Sequence, residues 1–62
     1  MDTVERFEAD LIYWREWVEY EEKVLSTCPL ETRPYIEKRL SVGKRNITEI
    51  EKALGVFKGE IT

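Results

Sequence analysis

The 62-residue chain has no histidine, one cysteine, two prolines and three glycines. Each shortage excludes something. Without His, the side chain that serves most often as general base and as zinc ligand is missing. A single thiol, Cys28, can build neither an internal disulfide framework nor a cysteine metal cluster. No run of about eighteen apolar residues exists, so no membrane span is expected, and the N-terminus lacks a signal-peptide pattern. The expectation is therefore a soluble, cytoplasmic chain with no metal, no cofactor and no membrane partner. What remains is plentiful. Apolar residues make up 42%, too many for a disordered segment, and charged residues 37%, with a net charge of −3.

The scarce helix breakers are placed tellingly. Thr3 to Ser26 contains neither Gly nor Pro and reads as a first helix. Asp2 and Glu5 have the spacing of a capping box, and acids in the first turn suit the helix macrodipole. Pro29 and Pro34 both disfavour helical geometry in the residue before them, so residues 27–32 read as a turn. Pro34 fits the first turn of a new helix, which makes Thr32 the expected N-cap. The second helix is expected from about Arg33 to Lys58, with a frayed tail over 59–62. A break at 41–46 is the alternative: Gly43 could end a helix, and Asn46 with Glu49 repeats the capping spacing. Against it, Ile36, Leu40, Gly43, Ile47, Ile50, Leu54, Phe57 and Ile61 keep an alternating four-three spacing straight through the glycine. One continuous helix is the stronger reading, at about 1 kcal/mol for an interior Gly.

The first helix carries the same spacing in Val4, Phe7, Leu11, Trp14, Val18, Glu21 and Leu25. Folding the chain back pairs the two series wherever residue numbers sum to 61. The layers are Val4–Phe57, Phe7–Leu54, Leu11–Ile50, Trp14–Ile47, Val18–Gly43, Glu21–Leu40 and Leu25–Ile36. The fold-back point falls between Leu30 and Glu31, inside the turn. Gly43 then gains a reason, because Val18 and the tryptophan level need a small neighbour. Glu21, at a core position, can be accommodated by reaching solvent or by pairing with a base such as Arg39. The fold class is thus all-α: an antiparallel, coiled-coil-like two-helix hairpin.

A second apolar series, Tyr13, Trp17, Tyr20 and Val24, widens the greasy arc of the first helix to roughly 160°. Tyr35, Val42, Ala53 and Val56 form a smaller match on the second. A helix touching one neighbour needs only a narrow stripe, and a core below about 70–80 residues rarely supplies more than ~3–5 kcal/mol. Two hairpins dimerising into an antiparallel four-helix bundle that buries this aromatic stripe as its seam would satisfy both points. Charge agrees with the hairpin. Residues 1–31 hold nine acids and three bases, whereas residues 32–62 hold four acids and seven bases. Glu8–Lys58, Arg15–Glu51 and Glu22–Lys44 are the expected flanking ion pairs.

For function the chain offers few reactive groups. The Glu-x-x-Glu steps at Glu5/Glu8 and Glu16/Glu19/Glu22 fall on the polar face, where a solvated surface is the simpler account. Cys28 has no base beside it. The expectation is a non-enzymatic, acidic protein–protein interaction module, an adaptor, regulator or inhibitor of a larger protein, whose homodimer uses Tyr13, Trp17, Tyr20 and Val24 as partner-binding residues. The alternative is nucleic-acid binding through Lys38, Lys44, Arg45 and Lys52, against which the acidic balance counts. A small structural or scaffolding subunit is the third reading. In architecture alone the expected hairpin resembles the ROP-type hairpin, which dimerises into a four-helix bundle and binds RNA; that resemblance implies the same assembly here and underlies the nucleic-acid alternative.

Overall fold

A computed structural model describes residues 2–59. Two helices, α1 (Thr3–Thr27) and α2 (Arg33–Phe57), pack side by side as an antiparallel hairpin. The Cα envelope measures 44 × 22 × 12 Å, a slab two helices wide and one helix thick.

Local chemistry sets the helix ends. The Asp2 carboxylate accepts the Glu5 backbone N–H at 2.8 Å, satisfying one of the donors left open at the start of α1. Cys28 is extended (φ −75°, ψ 155°), as the following Pro29 requires, and this ends α1. The Thr32 N–H then donates to the Pro29 carbonyl at 3.0 Å and the Arg33 N–H to the Leu30 carbonyl at 3.3 Å, tightening the turn. Thr32 stands at the cap position of α2, but its side chain does not cap. Its backbone is already helical (φ −85°, ψ −19°), and a side-chain cap needs the extended geometry that aims the hydroxyl back at the next amides. α2 runs unbroken through Gly43. At its far end the Lys58 N–H reaches the Leu54 carbonyl at 2.9 Å, and Gly59 takes the left-handed backbone (φ 75°) that residues with a Cβ avoid. Of the expected frayed tail, Gly59 closes a turn onto the Val56 carbonyl at 3.1 Å, and residues 60–62, Ile61 among them, lie outside the described residues.

Leu11, Val18, Ile36, Leu40 and Leu54 form the buried apolar set, all at seam positions. Among the described residues no large side chain is completely enclosed. A slab one helix thick has no interior beyond its seam. The register is fixed most clearly at Gly43. A Cβ built there would lie 2.9 Å from Val18 Cγ2 and 2.5 Å from Trp17 Cζ3. The absent side chain is the space that the indole occupies, so the glycine keeps its place in α2 against its helix propensity. At the open end Phe57 meets Phe7, ring centroids 5.6 Å apart, while remaining 57% exposed.

Candidate interaction surface

Because the helices are antiparallel, equivalent flanks of their seams lie on the same broad side of the slab. The two sides differ in chemistry. On one side Arg15 and Glu51 approach to 3.6 Å, and Glu8 and Lys58 to 3.6 Å. The third expected pair, Glu22–Lys44, does not close; Lys44 instead borders a shallow groove with Leu25, Glu37, Leu40 and Ser41. These exposed pairs contribute ~0–1 kcal/mol each, and their main effect is to fix which flanks face each other.

The other side is aromatic. Trp17 lies in the cleft above Gly43, half-buried, and its ring stands 5.4 Å from that of Trp14 at 73°. Trp14 meets Tyr13 at 5.4 Å and 82°, so three rings run edge to face along α1. From α2 the Arg39 guanidinium covers Trp17 at 5.6 Å from the ring centroid and reaches the Glu21 carboxylate at 2.8 Å. This explains how an acid occupies a seam position. Glu21 is only 3% exposed, yet its charge is paired, and no buried side-chain polar atom among the described residues lacks a partner. Stacking on the indole holds the guanidinium in place for that pair.

The four partner-binding candidates therefore divide. Tyr13 and Tyr20 stand out from the slab, 60% and 64% exposed. Trp17 and Val24 share their side but are half-buried against the seam cluster of Val18, Ile36 and Leu40. Spacing alone placed Trp17 with the tyrosines; the gap at Gly43 draws its ring inward. On α2, Tyr35, Val42 and Val56 extend the same side and are exposed, while Ala53 is half-buried. Toward the open end this side also holds a groove of about 350 Å³ lined by Phe7, Trp14, Asn46, Glu49 and Ile50. Spacing gave no sign of it.

The basic candidates Lys38, Arg45 and Lys52 recur every seventh residue on the outer edge of α2, away from α1, with Lys44 one position round. All four are exposed, and none forms an ion pair among the described residues. The acidic steps are exposed as well, and no three His, Cys, Asp or Glu side chains gather where they could hold a metal ion among the described residues. Cys28 is half-buried, its Sγ 3.5 Å from the Leu25 carbonyl. No helix among the described residues is long and apolar enough to cross a membrane.

Set against known proteins, the chain matches no family model, no curated protein and no solved structure. The functional reading rests on the surface itself.

Proposed function

We propose that the chain is a non-enzymatic protein–protein interaction module, a cytoplasmic adaptor, regulator or inhibitor of a larger protein, that works as a helical-hairpin dimer. The observation that carries this reading is the unequal finish of the two sides. One is bridged by ion pairs. The other presents Tyr13 and Tyr20 in the open, with Tyr13 set edge to face against the Trp14–Trp17 pair. Tyr and Trp dominate binding hot spots because they offer large amphipathic area with few rotors to freeze. For Tyr13 the contact with Trp14 removes part of that entropic cost in advance. A dimer would cover part of this side and leave its margins for the larger partner.

Tyr13→Ala/Tyr20→Ala is the informative variant, since both rings are mostly exposed. Proteins captured by the wild-type chain and lost by the variant, with helicity unchanged by circular dichroism, support the module. Equal capture by both chains refutes it.

Nucleic-acid binding is the second reading, favoured by one observation: Lys38, Arg45 and Lys52 form a stripe that has no carboxylate partner among the described residues, on an edge that a bundle would leave open. RNA retention that falls steeply with salt and is lost in a Lys38→Ala/Arg45→Ala/Lys52→Ala variant would transfer the function to that edge.

A further inference from the structure

The dimer reading leaves open how the copies are laid. They could stack with their turns together or end over end, and the aromatic side is not symmetric between its ends. Toward the turn it presents Tyr20 and the Arg39 guanidinium; the carboxylate beneath that guanidinium is buried. Toward the open end it presents Asp10, Glu49 and the groove lined by Phe7, Trp14, Asn46, Glu49 and Ile50. One end thus carries a projecting ring and a cation, and the other a hollow and two carboxylates, accompanied by Arg6.

We infer that the aromatic side is covered, except at its margins, by a second copy of this chain laid end over end, with the two-fold axis crossing the helices near Trp14 and Trp17 and the turns at opposite ends of a four-helix bundle. This rests on the dimer reading above and adds the order to it. Rotation about that axis carries residue 20 of α1 to the level of residue 10 or 11 of the other copy, the middle of the groove between Phe7 and Trp14. The Tyr20 ring fills the hollow, and its hydroxyl comes level with the Asp10 carboxylate. The same rotation brings Arg39 to the end that holds Asp10 and Glu49. With turns together, the two copies' Asp10 and Glu49 would instead crowd one another and each groove would face open-end residues.

The remaining charges of α1 do not oppose the arrangement. Glu5, Glu8, Glu16, Glu19 and Glu22 lie on its other faces, away from the contact. The face is large enough to hold such a contact: its 44 × 22 Å outline bounds at most about 1,000 Å², against the ~800 Å² per partner of a stable interface.

Three measurements on the full chain test this. Sedimentation equilibrium should give a dimer at micromolar concentration; a folded monomer up to about 200 µM overturns the dimer reading and this inference together. A spin label at the turn, on the Cys28→Ser/Leu30→Cys variant, should show label pairs about 40 Å apart by pulsed EPR, the length of the hairpin. A dimer with labels within about 20 Å has its turns together, which overturns the end-over-end order and spares the dimer. Glu49→Lys should weaken the dimer about tenfold by placing like charge near Arg39 of the other copy, and Tyr20→Glu should weaken it at least as much. A dissociation constant that stays constant or falls in Glu49→Lys overturns the order, because relief of the Asp10–Glu49 crowding is what turns-together stacking requires.

Discussion

Toward the turn, Val18, Ile36 and Leu40 are buried together, with Trp17, Val24, Leu25, Cys28 and Ile47 packed around them. Toward the open end the same heptad pattern yields Leu11 and Leu54, a groove, and a phenylalanine pair of which Phe7 is half-buried and Phe57 exposed. The heptad spacing is the same in the two halves, so the difference comes from which side chains occupy it. The turn half has a glycine opposite a tryptophan and an acid held by an arginine; each device fills the seam. The open half sets large rings at successive seam levels with no small seam residue opposite them, and Phe57 is left 57% exposed. Stability should therefore concentrate near the turn.

Substitutions can break or sharpen that contrast. The largest effect is expected from Leu40→Ala, which removes a buried side chain from the tight half. A loss of about 2–5 kcal/mol in urea unfolding would leave so small a core largely unfolded. Gly43→Ala comes next. Its gain in helix propensity, about 1 kcal/mol, opposes overlap with Trp17 and Val18. Neither neighbour is a flexible chain end, because the indole is confined by Trp14 and Arg39. A net loss of about 1–2 kcal/mol is expected, and a rise in thermal midpoint would show that the cleft has slack. Phe57→Ala, in the open half, should cost about 1 kcal/mol, well below the usual range for a buried phenylalanine, because the ring is already 57% exposed; a loss as large as that of Leu40→Ala would erase the contrast between halves. Arg15→Ala should change stability by less than about 1 kcal/mol, since the pair with Glu51 is more than half exposed. Even that small change should fade at high salt.

Much of this was legible in the sequence, and the reason is geometric. A four-three apolar spacing on two segments with a proline-marked turn leaves few ways to pair them. The layer joining Val18 to Gly43 is present, as are Glu8–Lys58, Arg15–Glu51 and the Glu21–Arg39 pair. What spacing could not carry was side-chain conformation. The inward turn of Trp17 depends on a void that exists only once the helices are packed. The groove at Asn46 and Glu49 depends on how two phenylalanines and a tryptophan divide limited room. The Thr32 hydroxyl failed as a cap because the preceding turn had already set its backbone, which residue type does not reveal. Glu22 and Lys44 stay apart for a similar reason: heptad position brings two long side chains near each other without holding them there.

The position of the indole between the helices has a practical consequence. Trp14 and Trp17 are the chain's two tryptophans, and both stand where the rods meet beneath the exposed tyrosines. The molecule is thus its own fluorometer: parting of the rods, arrival of a ligand over the rings, or loss of the cation from the indole face would each alter ultraviolet emission without any attached dye.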